Sequence, residues 1–89
     1  MVQQYVKKPI PVDAIKITED NIQDIVLWSQ GAVRWDAEHS RMVINTWEGT
    51  VWAGFGDYII RGIRGEFYPH NGALFEEVYE PVTSENPNA

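Results

Sequence analysis

A period-two alternation on either side of Glu48-Gly49 constrains this chain more than any other feature. From Arg41 to Trp47 and from Thr50 to Ala53 the side chains alternate, and the intervening pair places glycine second. Two alternating runs joined by such a pair read as a β-hairpin, because a positive φ at the second turn residue matches the twist of the strands. With Glu48-Gly49 as the turn, Trp47 pairs with Thr50, Asn45 with Trp52, and Val43 with Gly54, all on one face. The opposite face carries Met42, Ile44, Thr46, Val51, Ala53 and Phe55. That second set is nearly all apolar and is assigned to the core, which leaves Trp47, Trp52 and Asn45 on the other side. A one-residue slip would exchange the faces.

The rest of the chain is punctuated into short elements. Val2 to Val12 contains Lys7-Lys8 and the spaced prolines Pro9 and Pro11, and reads as an extended lead-in or a sheet edge, since proline fixes φ and lacks a donor. Ile15 and Ile17 share one face of a short strand over Ala14–Thr18. Asp20 as N-cap with Gln23 three residues on makes a capping-box-like start, and Asp24 suits the positive end of the helix dipole. Ile22, Ile25, Val26 and Trp28 supply the apolar face, and Gly31 the stop. The spacing predicts a helix of roughly 9–10 residues, too short to stand without packing on the sheet.

Val33 and Trp35 begin a further strand, and Asp36–Ser40 is a polar turn. Glycine-containing turns at Gly54–Asp57 and Gly62–Gly65 separate strands at Thr50–Ala53, Tyr58–Arg61 and Glu66–Pro69. Leu74, Phe75, Val78 and Tyr79 fit one or two helical turns, or a loop leading to a strand at Val78–Val82; period does not separate the two. The expected class is α+β: a mostly antiparallel sheet of hairpins, curled or barrel-like, with one N-terminal helix and a short C-terminal helical turn. It forms a single domain over 1–82, followed by a flexible tail at 83–89.

So small a domain needs an efficient core, and the eleven aromatic residues supply one, at roughly 150–250 Å² of burial each. There is no cysteine, which excludes disulfides, thiolate metal sites and thiol nucleophiles. Thirteen acidic and seven basic residues give a net charge of −6, which argues against general binding of nucleic acid or anionic membranes. No segment approaches the roughly 20 apolar residues of a membrane helix. The opening MVQQYVKKPIPVDA lacks a signal-peptide core, so the cytoplasm is the expected location.

Few residues suggest chemistry. His39 sits in a polar turn and His70 in a loop, and neither belongs to a metal-binding spacing. The pairs Glu19/Asp20 and Glu76/Glu77 suit helix termini and solvent better than acid–base work. The glycine turns lack the GxxxxGK[ST] pattern of a phosphate loop. Arg61 and Arg64 carry guanidinium forks suited to carboxylate or phosphate. No cofactor is implied. An aromatic-and-amide face such as Trp47, Trp52 and Asn45 suits ring stacking or protein binding. The weightier reading of those indoles is a second apolar layer, because large aromatics in small domains are usually core.

The run Gly56-Asp57-Tyr58-Ile59-Ile60-Arg61-Gly62-Ile63-Arg64-Gly65-Glu66-Phe67-Tyr68-Pro69 resembles a signature of small tailed-phage and prophage proteins, which carry a GDYIIRGVKGEFYP-like stretch. Their following Phe and Tyr-Glu-Pro are matched by Phe75 and Tyr79-Glu80-Pro81, while Tyr5-Val6-Lys7-Lys8-Pro9-Ile10 resembles their YRKKP start and Trp47-Glu48-Gly49 their LEG hairpin. Those proteins often have Cys where this chain has His70, so a thiol-dependent role is not carried over. The resemblance implies phage origin and expression in the bacterial cytoplasm, and no particular reaction.

The leading expectation is therefore a non-catalytic binding protein acting on a host protein or complex, with counter-defence as one such role. The candidate surface is Trp47, Trp52, Asn45, Arg61, Arg64 and His70. A nucleotide-like ligand, stacked on Trp47 or Trp52 and held by Arg61 or Arg64, is the alternative. A structural phage component, homo-oligomeric through a strand edge, is the third.

Overall fold

The computed structural model describes residues 1–83, so the tail expected at 83–89 lies, beyond Thr83, outside the described residues. Among the described residues, six strands and two helices follow one another: β1 (Asp13–Lys16), α1 (Ile22–Trp28), β2 (Val33–Asp36), β3 (Arg41–Thr46), β4 (Gly49–Ala53), β5 (Tyr58–Arg61), β6 (Phe67–His70) and α2 (Gly72–Val78). They form two antiparallel three-stranded sheets, ordered β1-β5-β6 and β2-β3-β4. The class is α+β as expected; among the described residues neither sheet closes on itself, so the barrel-like form is not confirmed.

One apolar cluster joins the sheets. It comprises Ile59 of β5, Met42 and Ile44 of β3, Ala53 of β4, Val33 of β2, Ile25 of α1 and Ile17 beyond β1; Ile15, Ile22, Trp28, Trp35, Val51 and Phe67 pack around it. Each sheet thus has an inner face on this core and an outer face turned away. Strand alternation decides which residues go where.

The β3–β4 hairpin corrects the expected register. Thr46 pairs with Gly49, Asn45 with Thr50, Val43 with Trp52 and Met42 with Ala53, so the turn is Trp47-Glu48. Thr46 selects it: its Oγ1 accepts from the Glu48 N–H at 3.2 Å and donates to the Gly49 carbonyl at 2.7 Å. Gly49 then takes φ +126°, a backbone state that side-chain-bearing residues avoid. Moving the turn by one residue moves each pairing by two, which preserves the facing. Met42, Ile44, Val51 and Ala53 accordingly line the core, as expected. Phe55 does not: it lies 45% exposed, with its ring 5.6 Å from that of Trp35.

α1 is shorter than expected and starts later. Asn21 holds the N-cap position, yet its side chain accepts from the Thr18 N–H at 2.9 Å and donates to the Lys16 carbonyl at 2.7 Å. These local bonds close the turn after β1 and draw Asp20 into it, so the Asp20/Gln23 box does not form. Gln30 (φ 54°) and Gly31 (φ 90°) end the helix in left-handed conformations. Buried Ser29 ties the end to β2, accepting from the Val33 N–H at 3.0 Å and donating to the Val26 carbonyl at 3.1 Å.

Gly54–Asp57 is a link rather than a hairpin, because β4 and β5 belong to different sheets. The Asp57 carboxylate organises it, accepting from the Gly54 N–H at 3.1 Å and the Gly72 N–H at 3.3 Å. After β6 the chain forms helix α2, which decides between the two readings of Leu74–Tyr79. Asn71 caps it, accepting from the Leu74 N–H at 3.1 Å.

Candidate functional site

The two outer faces differ. On the β2-β3-β4 sheet, Arg34, Val43 and Trp52 form one row, Asp36 and Arg41 a second, and Asn45 and Thr50 a third. Trp52 is 54% exposed, and Trp47 at the hairpin tip is 75% exposed. The expectation that these indoles cover a second apolar layer is thereby overturned. They could not join the inner face, because the alternation commits Met42, Ile44, Val51 and Ala53 to it.

Trp52 is held in place from one side. The Arg41 guanidinium lies 4.5 Å from its ring centre, and Arg41 Nε donates to Asp36 Oδ2 at 3.3 Å. His39 Nδ1 stands 2.8 Å from that same oxygen. The His39 hydrogen bond, aided by Arg41, holds the Asp36 carboxyl below the usual carboxylate value. Thr50 Oγ1 meets Asn45 Oδ1 at 3.5 Å in the neighbouring row. Asp36, Glu38 and His39 bring potential metal-ligating atoms within 4.8 Å, a grouping the histidine spacing alone did not suggest. Arg41 already engages the Asp36 carboxylate, which disfavours a second cation there.

The remaining sequence candidates lie elsewhere. Arg61 pairs with Asp13, and its guanidinium lies 5.4 Å from the Trp28 ring centre. Trp28 in turn meets Phe67 edge-on at 5.1 Å. Arg64 sits exposed in the β5–β6 turn, its backbone N–H donating to Glu66 Oε1 at 3.0 Å. The structure thus unites Trp47, Trp52 and Asn45 on one hairpin, and leaves Arg61, Arg64 and His70 on the other sheet. Arg41, not Arg61 or Arg64, is the guanidinium over Trp52.

His70 belongs to a second feature that the sequence reading did not assemble. On the outer face of the β1-β5-β6 sheet, Lys16, Tyr58 and His70 form one row and Ala14, Ile60 and Tyr68 the next. α2 lies over this face. Phe75 stacks on Tyr58 at 3.9 Å and on Tyr79 at 4.4 Å, and His70 meets both α2-side rings edge-on at 5.7 and 5.9 Å. The His70 Nδ1 faces the Asn71 carbonyl at 3.0 Å, which fixes the proton on that nitrogen. With residues 7–12, these groups enclose an open groove of about 1020 Å³.

Glu76 anchors the groove's rim. It accepts from Tyr58 Oη at 2.8 Å and from Lys16 Nζ at 3.3 Å. The Tyr58 bond, then Lys16, lowers its carboxyl below the ordinary glutamate value, while the same bond raises the Tyr58 phenol. Tyr68 is raised by burial. The pairing of β1, β5 and β6 creates this site, and period-two alternation within Tyr58–Ile60 and Tyr68–His70 was its one sequence signal.

Compared with models of protein families, with curated proteins and with solved structures, the chain matches none. Among the described residues, no helix is long and apolar enough to cross a membrane.

Proposed function

We propose that this chain is a non-catalytic binding protein, made by a phage or prophage, that grips a host protein with the outer face of its β2-β3-β4 sheet. The observation that carries this reading is the exposure of Trp47 and Trp52 beside Asn45 and Thr50 on one rigid hairpin. Indoles are costly to leave in water, and they are the side chains most enriched where interfaces concentrate their binding energy. Arg41 fixes the Trp52 ring from behind, so little rotamer freedom is lost when a partner covers it.

The charges on this face are Arg34, Arg41 and Asp36, with Glu48 at the tip, so the two signs balance. Recognition here rests on indole and amide groups rather than on net charge. The likeness of Gly56–Pro69 to tailed-phage proteins supports a partner in the bacterial cytoplasm, and counter-defence is one role such a partner would allow.

Affinity capture from bacterial lysate with the wild-type chain and with Trp52→Ala tests the proposal. A host protein retained by the first and lost by the second is expected. Identical capture by both chains would remove Trp52 from the interface and with it this reading.

A further inference from the structure

The chain divides its charge unevenly. Residues 1–12 contain Lys7 and Lys8 and no carboxylate, so all thirteen acidic residues belong to the remainder. The same arm presents apolar side chains that its own fold leaves uncovered: Val2 is 94% exposed, Tyr5 87% and Val6 93%. Part of the arm nevertheless has a seat. Lys7 Nζ donates to Tyr79 Oη at 3.0 Å and stands 5.4 Å from the centre of that ring, so the groove receives an ammonium at its phenol end. The groove also carries the carboxylates of Glu76 and Glu80.

The arm's hold on its own groove is light. Lys7 to Pro11 line the groove and all remain exposed. Pro9 and Pro11 withhold two donors from this stretch, and the Ile10 N–H is spent locally on the Lys8 carbonyl at 2.8 Å in a tight turn around Pro9 rather than in a sheet ladder. A segment so attached can leave at small cost and re-form the same contacts on another molecule.

We propose that the groove is the seat for the arm of a second copy, two chains exchanging residues 1–12 reciprocally. Lys7 of each then enters the Tyr79 end of the other, while Val2, Tyr5 and Val6 lie along the neighbour. Exchange of identical elements preserves every contact made within one chain and closes with two-fold symmetry. The cationic arm meets a body that holds all the acid, and the uncovered apolar side chains gain cover. This inference does not depend on the tryptophan face, which belongs to the other sheet.

Two measurements on the full chain decide it. Sedimentation velocity up to about 1 mM is expected to show a dimer, weakened about ten-fold by Tyr5→Ser, which removes a ring that is 87% exposed within one chain and covered only in the dimer; Lys7→Ala, whose Tyr79 contact is made in both states, is expected to leave the dissociation constant unchanged. In the second, Gln4→Cys gives the cysteine-free chain a single attachment point for a spin label. That labelled chain is mixed with an isotope-labelled wild-type copy. Broadening of the Phe75–Glu80 amides in the isotope-labelled copy is expected. A monomer at every concentration, or a dimer in which those amides stay sharp, would overturn the proposal. Either result would leave the capture experiment with Trp52→Ala unaffected.

Discussion

Replacing Gly72 with alanine tests how α2 is seated on the fold. Gly72 is buried at the first position of the helix, where its N–H reaches Asp57. A Cβ built there falls within contact of the Gly56 carbonyl oxygen and 2.9 Å from the Gly56 carbonyl carbon. Carbon atoms rest at about 3.5–4.0 Å, so helix and link must part by at least about 0.6 Å, and more at the oxygen. The obstacle is backbone, which cannot rotate aside as a side chain does. Overpacking costs about 1–3 kcal/mol, and a rigid backbone obstacle puts this site at the upper end, about 3 kcal/mol, of which alanine's helix preference returns at most about 1 kcal/mol. A net loss of about 2 kcal/mol lowers the melting temperature of a domain this size by about 8–16 °C. Thermal unfolding followed by near-ultraviolet circular dichroism, which reads the Tyr58–Phe75–Tyr79 stack, is the assay. Gly54→Ala is the control, since a Cβ there meets nothing within 4 Å and the backbone is not left-handed. A Gly72→Ala chain that melts with the wild type would refute the close approach of α2 to the Gly54–Asp57 link.

Other outcomes follow from the same contacts. Ile59→Ala, at a wholly buried position between the sheets, should cost about 2–5 kcal/mol in urea unfolding, whereas Trp52→Ala should stay within about 1 kcal/mol of wild type. Asp57→Ala leaves the Gly54 and Gly72 N–H groups without their acceptor and should destabilise by about 1–3 kcal/mol in the same measurement. Glu76 titrates below the ordinary glutamate value, so its tie between α2 and the sheet is intact above that value and is lost as pH falls through the lowered one. Carboxyl NMR of Glu76 should show that lowered midpoint, and Tyr58→Phe, which removes the principal hydrogen bond, should move it upward.

The sequence made the strands and the core side of the β3–β4 hairpin legible because alternation is local and survives a two-residue change of pairing. It did not disclose the turn itself, since Glu48-Gly49 satisfies the usual turn chemistry and only the Thr46 hydroxyl shifts the choice to Trp47-Glu48. Asp20 was an equally good cap on paper, but Asn21 found two backbone partners nearby and set the helix start. The Gly54–Asp57 segment looks like a hairpin turn in isolation; that it crosses between sheets depends on β5 pairing with β1, some 45 residues earlier, which no local pattern encodes. Of the candidate surface, Trp47, Trp52 and Asn45 came together because they share one hairpin. Arg61, Arg64 and His70 did not join them, because their positions are set by long-range pairing. Exposure of the indoles was misjudged for a related reason: the general preference of tryptophan for the interior yields to an inner face already filled by Met42, Ile44, Val51 and Ala53.

The most direct measurement uses fluorotryptophan incorporated at all four indoles, with fluorine NMR spectra recorded before and after addition of the captured host protein. Shifts or broadening at Trp47 and Trp52, with Trp28 and Trp35 unchanged, are expected if the outer face of the β2-β3-β4 sheet is the gripping surface. Changes confined to Trp28 or Trp35, with the two exposed indoles still, would contradict it.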